Sequence, residues 1–244
     1  MSAQNPPSSL THGAIVILTG AGISAESGLP TFRGSDGLWE GHHVEEVASP
    51  QGFEAMPEKV HRFYNMRRAA LKNVQPNVAH EALVRLEKEW PGEVLLVTQN
   101  VDDLHERAGS QRLMHMHGEL TKVRCTDCNA VVHWTEDLDQ QTPCPTCGVA
   151  GGMRPHIVWF GEMPMFMDEI EQHLQSAATF ISIGTSGVVY PAAGFVHLAA
   201  SFGVPRLIEV NVAGTSTSRK FHEHRIGPAT VEVPKLVDDL LAAA

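Results

Sequence analysis

The chain has 244 residues, 43% hydrophobic and 19% charged, which is room for one α/β core with a small insertion. A formal net charge of −10 argues against a general nucleic-acid binder, which carries a basic excess. No run approaches the ~18 to 20 apolar residues of a membrane span, and the opening MSAQNPPSSLTHG lacks the charged-then-apolar order of a signal peptide. It reads as a short tail, and the expected compartment is the cytoplasm.

Ala14–Thr19 is an apolar run suited to a buried parallel strand. It leads into GAGISAESGLP, residues 20–30, where Gly-x-Gly-x-x-Ala is the kind of turn that receives a pyrophosphate. The same run also suits a tight strand-to-helix turn without a ligand, and Gly28 and Pro30 spoil the helix that should follow. Glu40 lies about twenty residues on, but no strand ends there, so a hydride-transferring dehydrogenase fits poorly. Residues 27–56 read as a long loop with short helical turns, a length that usually serves function.

Pro57–Asn73 is predicted helical, with Val60, Phe63, Tyr64, Met66 and Leu71 along one side. Asn77 can cap the next helix, which runs through Leu83 and Leu86 to Trp90. Strands follow at Glu93–Thr98 and Arg112–Met116, and then Gly118–Gly152 breaks the rhythm. Alternation resumes with a helix near Met165–Ala177, a strand at Thr179–Gly184 and a helix over Pro191–Ser201. A strand Arg206–Asn211, a strand Thr230–Val233 and a helix opened by Pro234 complete the chain. This order predicts an α/β fold, a Rossmann-like doubly wound parallel sheet interrupted twice, around residues 36–75 and 119–152.

Cys125-x-x-Cys128 and Cys144-x-x-Cys147, fifteen residues apart, have the spacing of a two-hairpin zinc site. Four thiolates would close the tetrahedron, so the zinc would be structural, with no open position for substrate. Redox chemistry by either pair is the competing reading.

TQNVDDLH, residues 98–105, ends the second strand, where open α/β sheets place their ligands. Gln99, Asn100 and Asp102 could fix a sugar or a carboxamide there; an Asx turn capping the helix Asp102–Ala108 accounts for the same residues. In MHMHGEL, His115 and His117 occupy alternate positions and would share a face of a strand, as a metal pair or as packed side chains. His117, at a strand end before a glycine, is a candidate general base because imidazole titrates near neutrality. FYNMRR sets Tyr64 and Arg67 three residues apart on one helix face. An arginine fork beside a phenol suits a carboxylate. Lys59, Arg62, Arg68 and Lys72 on the same helix keep a solvated basic face as the alternative.

Taken together, GAGIS with GLPTFRG, TQNVDDLH, the HG before the doubled cysteine pairs, RPHIVWFGE, GTSGVVYPAAG and EVN resemble the sirtuins, NAD-dependent protein-lysine deacylases, from about Gly13 to the last helix. The resemblance implies a Rossmann-like NAD-binding domain of residues 13–35, 76–118 and 153–244. Its small domain would combine a helical insertion, 36–75, with the zinc-binding module, 119–152. NAD would be consumed as co-substrate, and the loop after Gly28 would fold over the nicotinamide ribose, which explains the missing long helix.

The resemblance assigns NAD contacts to Gly20, Ala21, Gly22, Ile23, Ser24, Thr31, Phe32, Arg33 and Trp39. Gln99, Asn100, Val101 and Asp102 would serve the nicotinamide ribose and carboxamide. Gly184, Thr185, Ser186, Asn211, Val212, Ala213 and Ala229 would serve the adenosine side. The family often has an acid soon after that asparagine, and NVAG supplies none. His117 matches the catalytic base. An acyl-lysine carbonyl oxygen would displace nicotinamide, His117 would take a proton from a ribose hydroxyl whose 2′-oxygen attacks the imidate carbon, and water would complete the reaction to free lysine and O-acyl-ADP-ribose. Val158, Phe160, Gly161 and Glu162 match the strand that pairs with the substrate backbone as an added strand. Tyr64 and Arg67 match the pair marking the bacterial branch that accepts succinyl- and malonyl-lysine, often with acetyl-lysine. An ADP-ribosyltransferase on the same fold, or a non-catalytic zinc-ribbon adaptor that binds NAD, are the rival functions. No nucleic-acid or membrane partner is expected.

Overall fold

The structure, a computed structural model, describes residues 12–31, 38–39 (backbone only) and 41–244. Phe32 and Arg33 and the side chain of Trp39 lie outside the described residues. In chain order the strands and helices are β1 (Ala14–Thr19), β2 (Leu38–Trp39), β3 (His42–His43), α1 (Val44–Val47), α2 (Pro50–Ala55), α3 (Pro57–Leu71) and α4 (Val78–Glu89). Next come β4 (Val94–Thr98), α5 (Leu104–Ala108), β5 (Leu113–His115), β6 (Gly118–Cys125), β7 (Val131–His133) and β8 (Met153–Ile157). The chain ends with α6 (Met167–Ser176), β9 (Ala177–Ile183), α7 (Phe195–Ser201), β10 (Arg206–Asn211), β11 (Glu223–Ile226) and α8 (Ala229–Ala242).

Six parallel strands form the main sheet in the order β11-β10-β9-β1-β4-β5. Alternation along each strand sends Ile15, Ile17, Val94 and Leu96 to one face, where α4 and α8 bury Leu83, Leu86, Val233 and Leu236 against them. Val16, Leu18, Leu95 and Val97 face the other way, onto Ile170 and Leu174 of α6 and Phe195 and Val196 of α7. Each such side chain, taken fully from water, contributes roughly 1.5–3 kcal/mol. With both faces covered, the strands read as continuous apolar runs, as in the predicted doubly wound fold.

The order of strands reverses between β1 and β9. The chain steps outward from β1 through β4 to β5 on one side, and from β9 through β10 to β11 on the other. Such a switch point opens a crevice at the carboxyl ends of the strands.

The small domain has its own sheet, β7-β6-β8, antiparallel throughout. Residues 153–157, grouped by the sequence reading with the large domain, pair instead with β6 as β8. The helical insertion packs on this sheet through Val60, Phe63, Tyr64 and Leu71, against Leu120, Ile157 and Trp159. Met66, predicted on the buried side of α3, is 54% exposed. It lies two residues, about 200° of helix, from Tyr64.

The C-terminal elements also differ from expectation. Thr230–Val233, predicted as a strand from its β-branched residues, forms the first turn of α8, and Pro234 lies inside that helix. Glu26, distant in sequence, overrides the propensity: its carboxylate accepts from the Thr230 N–H at 3.0 Å and the Thr230 hydroxyl at 2.6 Å. A carboxylate there satisfies orphan donors and suits the positive end of the helix dipole. The sixth strand is β11, a charged edge whose alternation carries little apolar signal.

Candidate active site

A cleft of about 790 Å³ opens over the strand ends at the switch point, between the main sheet and the small domain. Its floor is the turn after β1. Instead of a long helix, residues 21–27 make two short 3-10 turns, and Gly28 closes the second with a left-handed φ of 98°. The Gly22 N–H donates to the Gly184 carbonyl at 2.9 Å, and a Cβ on Gly22 would lie 2.6 Å from Gly184 Cα. Glycine is therefore required for the two strand-end loops to meet. Gly20, Ala21, Gly22, Ser24 and Thr31 line this part of the cleft; Ile23 is fully buried in the core beneath it.

Gly184, Thr185, Ser186, Asn211, Val212 and Ala213 line the far side. The Asn211 amide donates to the Thr185 carbonyl at 2.7 Å, joining the β9 and β10 loops. Ala229 stands apart from the cleft lining, buried at the start of α8.

The segment after β4 supplies Gln99, Asn100, Val101 and Asp102, all lining the cleft. Asn100 and Asp102 converge on Ser24. The Asn100 Nδ2 donates to Ser24 Oγ at 3.1 Å, and that hydroxyl donates to Asp102 Oδ2 at 3.2 Å. Asp102 Oδ1 accepts from the Leu104 N–H at 3.1 Å. Burial pushes the Asp102 carboxyl up to about 6, against the lowering effect of those two donors. His80 Nδ1 accepts from the Asn77 N–H at 3.2 Å, which leaves its proton on Nε2, 3.4 Å from Ser24 Oγ. Burial holds the His80 imidazole down to about 4, so it is a neutral donor.

Four successive carbonyls of this segment are held by donors from residues 115–120. Thr98 accepts from the Met116 N–H at 3.0 Å and Val101 from the Leu120 N–H at 2.8 Å. Between them, Gln99 accepts from His117 Nδ1 at 3.2 Å and Asn100 from His115 Nδ1 at 3.0 Å. With its proton committed to the Gln99 carbonyl, neutral His117 carries its lone pair on Nε2. Burial lowers its pKa, which keeps the ring unprotonated near neutrality. The metal pair weighed for His115 and His117 is not formed: β5 ends at His115, and among the described residues no cluster of metal-binding side chains includes His117.

The remaining wall is Val158–Glu162. It continues β8 without regular pairing: the Val158 N–H donates to the His117 carbonyl and the Phe160 N–H to the Ala48 carbonyl. Val158, Phe160 and Gly161 line the cleft, and Phe160 is 49% exposed. Glu162 also lines it, but its carboxylate is occupied as a brace. It accepts two bonds from Arg154 (2.7 and 3.0 Å), one from Arg124 (2.8 Å) and one from the Trp159 N–H (2.8 Å). The Arg154 guanidinium stacks 3.3 Å over the Trp159 ring, and the Trp159 indole N–H donates to Tyr64 Oη at 2.9 Å. Arg67 lines the cleft, while Tyr64 is fully buried behind the wall.

The four cysteine Sγ atoms lie within 4.8 Å of one another, at 3.8 Å for Cys125–Cys147 and 3.7 Å for Cys128–Cys144. No disulfide joins them, and the edge of a tetrahedron with Zn–S of ~2.3 Å is about 3.8 Å. The thiolates fit a closed zinc site, remote from the cleft lining.

Sequence reasoning missed the buried polar layer under the cleft. Thr19 Oγ1 donates to Thr98 Oγ1 at 2.9 Å and lies 3.0 Å from His105 Nε2, while His105 packs edge-on against His80. Only Asn77-x-x-His80 hinted at this, as the reciprocal cap it forms at the start of α4.

Residues 20–191 match the Sir2 family. The chain is 57% identical to the NAD-dependent protein deacylase of Bdellovibrio bacteriovorus over 229 residues, 93% of this chain and 96% of that protein. It is 54% identical to the NAD-dependent protein deacylase of Vibrio cholerae over 237 residues, 96% of each. Among solved structures, a Sir2 homologue–NAD complex superposes with a TM-score of 0.85 at 41% identity, covering 94% of this chain and 90% of that one. A Sir2–p53 peptide–NAD+ structure gives 0.79 at 29% identity, covering 93% and 92%. With more than two thirds of its length matched by the family and its relatives aligned nearly end to end, the chain belongs to the Sir2 family.

Proposed function

We propose that the protein is an NAD-dependent protein-lysine deacylase, with His117 as general base. The observation that carries the reading is the His117 Nδ1 bond to the Gln99 carbonyl, which reserves Nε2 for proton abstraction at the cleft. The deacylase relatives and the NAD and peptide complexes of structural neighbours support it.

NAD would lie across the switch point. The glycines of residues 20–22 admit the pyrophosphate, Asn211 and its neighbours face the adenosine side, and Asn100 and Asp102 face the nicotinamide riboside. The acyl-lysine peptide would add as a strand beside Val158–Glu162 and bring its carbonyl oxygen to the anomeric carbon. Nicotinamide would leave as that bond forms, His117 would take a ribose hydroxyl proton so that the 2′-oxygen attacks the imidate carbon, and water would complete the release of free lysine and O-acyl-ADP-ribose. One structural zinc on Cys125, Cys128, Cys144 and Cys147 would hold the small domain together.

The acyl preference follows from Arg67. A guanidinium in the cleft lining supplies a counter-charge for the free carboxylate of a succinyl or malonyl group. Acetyl-lysine needs no such counter-charge, so the proposed activity is dual. Mass spectrometry of NAD reactions with matched acetyl- and succinyl-lysine peptides tests it. O-acyl-ADP-ribose from both is expected, with far less from His117→Ala. ADP-ribose on protein instead would indicate the transferase, and no nicotinamide release at all a binding module.

A further inference from the structure

His115 is not part of the cleft lining, and the proposed reaction leaves it without a task. It is 7% exposed, yet both ring nitrogens face oxygen acceptors. Nδ1 lies 3.0 Å from the Asn100 carbonyl and Nε2 lies 2.7 Å from Glu106 Oε1. A carbonyl can only accept, so Nδ1 must carry a proton. A neutral ring would then aim the Nε2 lone pair at a carboxylate oxygen 2.7 Å away, which is repulsive. The arrangement requires a proton between Nε2 and Glu106 as well: an imidazolium held by a carboxylate.

The groups around the ring give the same answer. Glu106 and His105 approach from α5, Glu119 and Lys122 from β6, and Asp102 from the strand-end segment. Lys122 is bonded to Glu119. Two cations, His115 and Lys122, face the carboxylates Glu106 and Glu119, and Asp102 adds further negative charge near the ring. Burial works against the charge on His115, but the Glu106 hydrogen bond and charge, then Glu119 and the Asn100 carbonyl, raise its pKa.

We propose that protonated His115 is a positioning residue: Glu106 holds it as an imidazolium, and it fixes the Asn100 carbonyl, and with it the segment that receives the nicotinamide ribose. This rests on the deacylase reading for its kinetic consequence, but not for the tie itself. Of the four carbonyls gripped from residues 115–120, two are held by backbone N–H groups, which cannot titrate, and two by imidazoles. His117 must be neutral to act as a base. His115 must be charged to hold both partners: without its Nε2 proton the ring is repelled by the Glu106 carboxylate 2.7 Å away, which loosens its Nδ1 bond to the Asn100 carbonyl. Catalysis therefore has an alkaline limit set by a residue that never touches substrate.

The experiment is histidine nitrogen NMR on the full-length protein over pH 6–9, with nicotinamide-release kinetics on the same samples, for wild type and Glu106→Gln. Glu106 is 38% exposed on its side chain, so its replacement by an isosteric amide is tolerated by the fold. In wild type, both nitrogens of His115 are expected to stay protonated at pH 7.5, with the Asn100 carbonyl resonance titrating together with the ring. The alkaline limb of kcat/KM for NAD should share that pKa. Glu106→Gln should move the ring pKa by ~1 pH unit or more towards acid, as loss of a neighbouring opposite charge does. It should also remove the wild-type alkaline limb, because the amide N–H can donate to the neutral ring's Nε2 while Nδ1 keeps the Asn100 carbonyl. A singly protonated His115 at pH 7.5 in wild type, or a ring pKa that moves while the limb stays, would overturn the proposal. Wild type releasing no nicotinamide at any pH would overturn the deacylase reading instead, and co-titration of the Asn100 carbonyl would still decide the tie.

Discussion

His117 and His115, two residues apart, donate through the same ring atom to consecutive carbonyls, Gln99 at 3.2 Å and Asn100 at 3.0 Å, and their surroundings drive them in opposite directions. Around His117 burial dominates and the ring is held neutral. Around His115 burial is outweighed by Glu106, 2.7 Å away. One short segment thus holds two imidazoles whose surroundings favour opposite protonation states.

His117→Ala should reduce kcat by ~10²–10⁴ with little change in NAD affinity, since the lost group acts on a proton rather than on binding. In wild type the acid limb of the rate profile should fall below the ordinary imidazole value of ~6.5. The sign follows from the cause: burial disfavours the imidazolium, so the base stays competent to lower pH. Steady-state kinetics against pH, with calorimetric titration of NAD, check both points.

Arg67→Met should cost succinyl-lysine turnover roughly 10- to 100-fold in kcat/KM, the value of a hydrogen bond to a charged group of about 1.5–3 kcal/mol. Acetyl-lysine turnover should be within a few-fold of wild type. Equal losses on both peptides would show that Arg67 shapes the cleft wall without reading a carboxylate.

Tyr64→Phe separates bracing from recognition. Removing the hydroxyl strips the buried Trp159 indole N–H of its acceptor, a cost of about 1–3 kcal/mol in unfolding free energy. If Tyr64 only braces the wall that carries Phe160, acetyl and succinyl turnover should fall together. A selective succinyl loss would place its hydroxyl on the substrate carboxylate.

Asp102→Asn should stabilise the fold at pH 7.5 while reducing activity. The folded-state pKa of Asp102, raised to about 6, lies above an unfolded value of ~3.9. The folded protein therefore carries a penalty above pH 6 that is relieved as pH falls through about 6 towards 4. The neutral amide removes up to about 3 kcal/mol of that penalty. Denaturant unfolding at pH 7.5 should show the variant ahead of wild type, and at pH 5 the gap should narrow.

Metal analysis should find about one zinc per chain, and a strong chelator should lower the melting temperature and expose four thiols to titration. Thiol counts below four before and after chelation would indicate disulfides, against the 3.7–3.8 Å sulfur separations.

While the motifs of the cleft took their meaning from resemblance to the sirtuins, the sequence by itself determined the alternating α/β core and the four-cysteine module, because each rests on local periodicity or fixed spacing. The Asn77 cap and the broken helix after Gly22 were legible for the same reason. Tertiary structure decided what depends on partners distant in the chain. Thr230–Val233 is helical because Glu26, some two hundred residues away, caps it. Glu162, read as a substrate contact, is occupied by Arg154, Arg124 and the Trp159 N–H. Tyr64 and Arg67 share a helix face, yet only Arg67 lines the cleft, because Trp159 covers the phenol. The different protonation of His115 and His117 could not be read from MHMHGEL. A histidine's proton depends on burial and on which oxygens surround it, and Gln99, Asn100 and Glu106 reach these rings only once β4, α5 and β5 lie side by side.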